Sequence, residues 1–553
     1  MLPKLNPKQN KKSYLKIFGG LDRRQIISDS SLSDMKNMSC DNFPALSPCK
    51  ESKTIAIINS PQAICSPEFA EKELSSFTGV MENRFIYKGK VIEGTLTDGE
   101  KSIADFNGKI CIFPDKVYYD YIPDSETGEV SQTLISMEKS LSVKGPRFYS
   151  SKDALTGFYT SYISASTVDF SASFKEGDSI VISGSTKPEN NVIFLQSRKD
   201  AVSESAIVSA VITKVSEKRI DLALYKKSGE QTGFSNVTET GEITIRLAIP
   251  QMDHICVHNN RLWGTSSSGE YIYASKLGDM TNFNSFQGLA DDSWYSYIAT
   301  QGKFTGICSY RTSVVAFKEN NIHHVYGDSP RNFSIPKHTA CGCIDGKSIC
   351  EINGVLYFLS QRGFYAYNGG EPYNISSTLN REYSFCTGET DGKHYYVSAT
   401  DHTGITEFMV YTPEYNLWMK RDNTLLNDMC SYNGNVYGIT EDKMLLLNGG
   451  DFSSDWSIST KGFTYDSFDL NGVSEIFLRA HLSPSSRIKV GVVFDDSEYA
   501  ECGIIKGENR LSSYRIPVRF KPCDHFSIKL SGEGEAFIHS IETINYKGGR
   551  NYG

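Results

Sequence analysis

The sequence predicts an all-β protein: a β-propeller of about six four-stranded blades, with an inserted small β domain and a C-terminal antiparallel β-sandwich. Three observations predict it. First, one phrase recurs: a turn dipeptide, then a run of aromatic and β-branched residues. It reads His258-Asn259-Asn260-Arg261-Leu262-Trp263, Ile352-Asn353-Gly354-Val355-Leu356-Tyr357, Asp391-Gly392-Lys393-His394-Tyr395-Tyr396 and Tyr432-Asn433-Gly434-Asn435-Val436-Tyr437, with a degenerate copy at Tyr310-Arg311-Thr312-Ser313-Val314-Val315. Second, the turn positions Asn259, Arg311, Asn353, Asp391 and Asn433 fall about 52, 42, 38 and 42 residues apart, close to the length of a propeller blade. Third, 31 Tyr, 30 Phe and 45 Gly outweigh any helical periodicity, which favours strands.

The chain divides in order. Residues 1–16 form a flexible N-terminal arm rich in Lys, Asn and Pro. Residues 17–122 hold the first part of the propeller. A short helical turn is expected at Met35, capped by Ser33 or Asp34. Strands are expected at Ile55–Ile58 and Arg84–Tyr87, and the repeat phrase returns at Phe106-Asn107-Gly108-Lys109-Ile110-Cys111-Ile112-Phe113. The next turn dipeptide is Asn259, so residues 123–250 are read as an inserted β-barrel or sandwich. Its strands are expected at Gly177–Gly184, Val192–Phe194, Ile207–Val215, Ile220–Tyr225 and Glu242–Ile249. Residues 251–455 carry the remaining blades. Each repeat has a second strand pair, as in Gly363-Phe364-Tyr365-Ala366-Tyr367, because Asn-Gly and Asp-Gly accept the positive φ of a hairpin turn. Residues 456–553 change rhythm into longer alternating strands, a separate sandwich with a tail. An open ring would expose strand edges, so a strand near Asn42–Ser47 is expected to complete the last blade.

Composition narrows the function. A net charge of −8 and a pI near 5.8 argue against a broad nucleic-acid-binding surface. Thirteen scattered Cys, an odd number, suit a reducing compartment. The basic, polar start has no apolar core of a secretory signal, and no run of 18 apolar residues suggests a membrane helix.

Several segments together resemble a family, the β-propeller tail nozzle and hub proteins of tailed bacteriophages, including the packaged-DNA-stabilisation type. Phe18-Gly19-Gly20-Leu21, then Leu32-Ser33-Asp34-Met35-Lys36-Asn37-Met38, is similar to that family's opening. Arg261-Leu262-Trp263-Gly264 followed by Tyr273–Phe283 resembles its most specific segment, although Met280 stands where Pro is commoner. Phe317–Ile322 and Gln361–Gly369 resemble its blade strands. The resemblance spans roughly residues 17–450. It implies a virion protein of the tail, made in the host cytoplasm, that sits as a ring of commonly six copies around the DNA exit channel. Its implied partners are other tail or connector proteins, further copies of itself, and genomic DNA that passes without sequence-specific binding. No cofactor, metal or membrane anchor is implied.

Chemistry was sought beside this reading. His338, Cys341, Cys343 and Cys350 have a loose zinc-like spacing, but Cys-x-Cys on a strand suits buried thiols better. His323-His324 would point oppositely on a strand. Asp291-Asp292 and Asp401-His402 are candidate acid pairs of a carbohydrate-acting propeller, against which each reads as a loop tip. Gly19-Gly20 beside Arg23-Arg24 could hold phosphate, but no strand–loop–helix context surrounds it. Asp120–Thr127 lacks a full Ca²⁺-loop pattern. Tyr365, Tyr367 and Tyr373 suit either a partner surface or packing between blades. No catalytic, cofactor or metal residue is assigned. The rival readings are a carbohydrate-binding or hydrolysing propeller and a host-receptor-binding protein at the tail tip.

Overall fold

The computed structural model describes residues 10–67, 73–125, 127–194, 203–336, 338–464, 470–519 and 521–547. Among them all regular structure is strand, apart from single 3-10 turns at Pro188–Asn190 and Gly346–Ser348. No helix is long and apolar enough to cross a membrane. The chain folds into two compact units. One comprises Ser60–Lys72 and Ser76–Ile349; the other comprises Met1–Asn59, Glu73–Ser75 and Cys350–Gly553.

The Ser76–Ile349 unit contains four antiparallel four-stranded meanders. Sheet A is Pro61–Ile64, Gly79–Met81, Arg84–Tyr87 and Lys90–Val91. Sheet B is Ser102–Phe106, Lys109–Phe113, Val117–Asp120 and Ile135–Ser136. Sheet C is Met252–His258, Arg261–Ser266, Tyr271–Ala274 and Trp294–Tyr297. Sheet D is Phe304–Tyr310, Ser313–Lys318, Ile322–Val325 and His338–Thr339. Successive sheets pack face to face. Val80 and Phe85 of A meet Ile110 and Ile112 of B. Phe106 and Cys111 of B meet Met252 and Leu262 of C, and Trp263 and Ile272 of C meet Val314 and Ala316 of D.

The other unit repeats the plan. Sheet E is Cys350–Ile352, Val355–Ser360, Gly363–Tyr367 and Tyr373–Asn374. Sheet F is Tyr383–Thr390, Tyr395–Asp401, Thr406–Thr412 and Leu417–Lys420. Sheet G is Asp428–Tyr432, Asn435–Ile439, Lys443–Leu446 and, from far upstream, Lys53–Ile57. Phe364 of E lies 5.0 Å from Trp418 of F, and Tyr396 and Phe408 of F pack on Met429 and Val436 of G.

The turns behave as the repeat phrase requires. Asn107-Gly108, Asn259-Asn260, Asn353-Gly354 and Asn433-Gly434 all have positive φ at both residues. Seven meanders are present where the repeat phrase marked six. The extra one is sheet A, whose second and third strands turn on Glu82-Asn83, also at positive φ. Glutamate is a poor host for that conformation, so the turn carried no sequence signal.

Several boundaries differ from the sequence reading. Residues Asn10–Leu15, expected within the flexible arm, form a strand that pairs Ile541–Tyr546. Leu32–Lys36 is a strand against Trp456–Thr460, not a helical turn. The closing strand is Lys53–Ile57 rather than Asn42–Ser47, since Met444 pairs Ala56 and Lys443 pairs Ile57. Within 42–48, only Ser47–Pro48 is a strand, and it pairs Met38–Ser39. Ile135–Ser136 completes sheet B, so the insert's own strands run from Lys139 to Leu247.

The insert folds around one core that includes Phe148, Ile163, Phe170, Ile182, Leu222 and Ile243. Bridges Ser179–Val211 and Val192–Ile207 join its two sheets. The C-terminal strands form two antiparallel sheets. One orders Asn10–Leu15, Ala536–Lys547, Asn471–Leu482 and Leu511–Pro517. The other orders Leu32–Lys36, Trp456–Thr460, Phe526–Glu533, Arg487–Phe494 and Glu498–Lys506. Alternate residues such as Ile488, Val490 and Val492 are fully buried, which is the pattern of a two-sheet sandwich.

Candidate functional site

Two segments that carry the resemblance, Phe18–Met38 and Arg261–Phe283, act as fasteners. Gly20 has φ +73°, and a Cβ there would come within 2.9 Å of the Trp418 carbonyl. Its neighbour Leu21 donates its N–H to that same carbonyl at 2.8 Å. Only glycine lets the backbone lie so close to sheet F. The candidate phosphate cation Arg23 instead grips the Glu407 carboxylate with two hydrogen bonds of 2.9 and 2.7 Å. Arg24 pairs with Asp22 at 2.6 Å. Burial alone would raise the Glu407 carboxyl, but the Arg23 fork, with Lys420 and Arg381 behind it, holds it down to about 2.

The second fastener is Arg261, which is almost fully buried. Its guanidinium donates to the carbonyls of Ser275 at 2.7 Å, Asp292 at 2.5 Å and Ala290 at 2.9 Å. The loop so folded seats the insert. Asn282 Nδ2 donates to the Gly177 carbonyl at 3.0 Å, and Phe286 N–H donates to Ser209 Oγ at 3.0 Å. Met280 joins the apolar cluster that includes Cys111 and Val181.

The acid pairs do not converge. Asp292 accepts from Ser285 Oγ and from the N–H groups of Gln287 and Leu289, while Asp291 lies 3.5 Å from Lys276. Asp401 caps a turn, accepting from Thr403 and Ile405. His323 bonds Thr300 Oγ1 at 2.9 Å and His324 bonds Ser313 Oγ at 2.5 Å, so the two histidines serve different neighbours. Cys343 is fully buried, donates to the Asp345 carbonyl, and burial pushes its thiol up to about 12. Among the described residues no group of three His, Cys, Asp or Glu is placed to hold a metal ion. Asp124 of the 120–127 stretch caps a local turn at Thr127. Tyr367 is buried, Tyr365 stacks on Phe358, and Tyr373 is half exposed.

One cleft, in the unit that contains sheets E to G, gathers polar groups that the sequence reading did not single out. It has a volume of about 470 Å³ and is walled by Met38, Val410, Met419, Phe452 and Phe537. A hydrogen-bonded chain runs along it. Arg421 Nη1 donates to Asn448 Oδ1 at 2.7 Å. Asn448 Nδ2 donates to Tyr396 Oη at 2.6 Å, and Tyr396 O–H donates to Asp391 Oδ2 at 3.1 Å. Asp391 Oδ2 also lies 2.8 Å from His394 Nδ1, with Asp41 at 3.4 Å from Nε2. Burial alone would lower the His394 imidazole; the Asp391 carboxylate, with Asp41 beyond, holds it above its ordinary value. These residues come from four distant segments, so no local spacing announces them. A second cleft, of about 490 Å³ in the other unit, is lined by Glu100, Asp253, His254 and Asp345 among others. Its His254 is used internally, with Nε2 3.1 Å from the Phe304 carbonyl.

No protein-family model matches the chain. No curated protein matches it either. Solved structures with some likeness include Hsv2 from Kluyvelomyces marxianus, at 10% identity over 52% of this chain and 91% of that one, with a TM-score of 0.25. An exo-β-1,3-galactanase from Phanerochaete chrysosporium, solved with galactose, shows 8% identity over 77% and 99%, with a TM-score of 0.18. A family 29 carbohydrate-binding module shows 12% identity over 20% and 72%, with a TM-score of 0.11. Likenesses this weak carry no argument about what this chain does.

Proposed function

We propose that this chain is a structural component of a bacteriophage tail, part of the ring around the DNA exit channel and a docking surface for neighbouring tail proteins. In this reading the seven meanders are the blades of one propeller, closed by Lys53–Ile57 on the outer edge of sheet G. The first strands of sheets B, C and D, and those of E, F and G, are successive neighbours, as inner strands of blades are around an axis. The observation that carries the functional reading is where the family-like residues fall. Phe18–Met38 and Arg261–Phe283 are the segments that fasten sheet F and seat the insert. In this reading the segments that resemble the tail family do so because they hold the scaffold, as suits a building block.

The test is electron microscopy of phage particles decorated with an antibody raised against the purified chain, alongside mass photometry of that chain. Label at the tail and a closed oligomer support the proposal. Label confined to the cell lysate, with none on particles, sinks it.

A second reading, host-receptor binding at the tail tip, is favoured by one feature of the insert. The hairpin tip at Asp153–Phe158 is held rigid by Asp153, which accepts from the N–H groups of Leu155 and Thr156. It nevertheless presents Leu155 at 98% exposure and Phe158 at 64%. If that tip contacts a receptor, purified chain blocks phage adsorption and the L155S/F158S double variant does not.

A further inference from the structure

Arg421 is 3% exposed, yet among the described residues no carboxylate pairs with it. Its hydrogen-bond partners are neutral: Asn448 Oδ1 at 2.7 Å and the Lys50 carbonyl at 2.5 Å. Among the described residues its buried Nε–H meets no oxygen or nitrogen acceptor, and its other neighbours, the Cys49 thiol and the Phe408 ring 5.0 Å away, are uncharged. Asp422 and Glu51 line, with Arg421, a different cleft of the same unit, and among the described residues neither forms an ion pair with it. The contrast with Arg23 is direct, since that arginine is matched by Glu407. A buried cation without a counter-charge is costly, and an unmade hydrogen bond adds to the cost. Both costs fall on the edge of a cleft whose opposite wall is apolar.

We propose that this cleft binds a small molecule carrying a carboxylate or phosphate group on an apolar body, with the oxyanion paired to Arg421. The charges around the cleft locate it. At the His394 end, Asp391 and Asp41 already balance the imidazole. At the other end lie the cations Arg421 and Lys50, and the acid in the cleft's lining, Asp41, is the one beside His394. The anion therefore sits at the Arg421 end, where Asn448 and Asn42 can orient it, and the body lies against Met38, Val410, Met419 and Phe537. A volume near 470 Å³ suits a ligand of one or two rings. The site depends on no assumption about the tail, so it can fail or succeed separately from the proposed function.

The experiment is calorimetric titration of the full chain with benzoate, phenyl phosphate and acetate at constant ionic strength. Benzoate or phenyl phosphate is expected to bind at least about tenfold more tightly than acetate, and which of the two binds identifies the oxyanion. Arg421→Lys keeps a charge but loses the planar fork, and should weaken binding by about tenfold or more. Should that variant fold poorly, Asn448→Asp supplies an independent arm. It places a carboxylate beside Arg421, fills the anion's place from within, and should abolish binding without lowering the unfolding midpoint. Lys529→Gln, on an exposed face of the C-terminal strands, should change nothing. The proposal is overturned if neither aromatic anion binds, if acetate binds as well as they do, or if Asn448→Asp binds them unchanged.

Discussion

Glu407 sits at 2% exposure among Arg23, Arg381 and Lys420, so replacing it leaves three partly buried cations facing one another without their anion. Breaking a buried ion pair from one side costs about 3–5 kcal/mol. Glu407→Gln should therefore lower the unfolding free energy from urea titration by an amount of that size, and an unchanged value would show that the cations find other partners. The sign of the pH effect follows from the depressed carboxyl. The stabilisation is present above about 4.5, the ordinary glutamate value, and is lost as pH falls towards about 2. Glu389 behaves in the opposite way. Burial, with the Asp428 charge adding to it, pushes its carboxyl up to about 7. Its folded form prefers the proton, so its contribution is complete below about 4.5 and fades as pH rises through 7. Glu389→Gln should raise the melting temperature at pH 8 by roughly 2–5 °C and leave it little changed at pH 4. Equal shifts at both pH values would refute a titration effect.

At the scale of strands and turns, what the sequence disclosed and what it hid divide on physical grounds. Turns at Asn107-Gly108, Asn353-Gly354 and Asn433-Gly434 were legible because few residue types accept two successive positive φ angles. Glu82-Asn83 makes the same turn without that signature, and sheet A went uncounted. Closure was legible as a need, because an open meander edge is a liability, but its strand was not. A strand was expected at Ile55–Ile58 and one is present at Lys53–Ile57, but five exposed or half-buried residues carry no mark of the distant sheet they complete. The chain of groups from Arg421 to His394 was equally hidden, since it is assembled by sheet packing and not by spacing. The closing strand yields a prediction. Ile58 N–H donates to the Asp442 carbonyl at 3.0 Å. The two-residue period of a strand puts the Ala56 N–H on the same side, facing Met444. Ala56→Pro removes that donor and should speed amide exchange in Lys443–Leu446 by about tenfold or more, read by mass spectrometry. Unaltered exchange there would mean that the strand contributes no protection.

At the scale of the molecule, residues 10–57 are spent inside structures made by the last two hundred. Asn10–Leu15 edges one C-terminal sheet and Leu32–Lys36 the other, while Lys53–Ile57 edges sheet G and Arg23 neutralises Glu407. Partners lie 530 residues apart at Lys12–Glu542 and 384 apart at Arg23–Glu407. Such remote pairing must wait until the chain is nearly complete, and loop closure over these lengths makes assembly slow. A chain beginning at Ser60 would leave three strand edges open and Glu407 without its fork, which is a template for aggregation. It should therefore be recovered mainly as insoluble material, whereas supplying residues 1–59 as a separate polypeptide during refolding should restore a soluble complex on size exclusion. Monodisperse, cooperatively unfolding protein from the truncated chain alone would show that these strands decorate the fold instead of completing it.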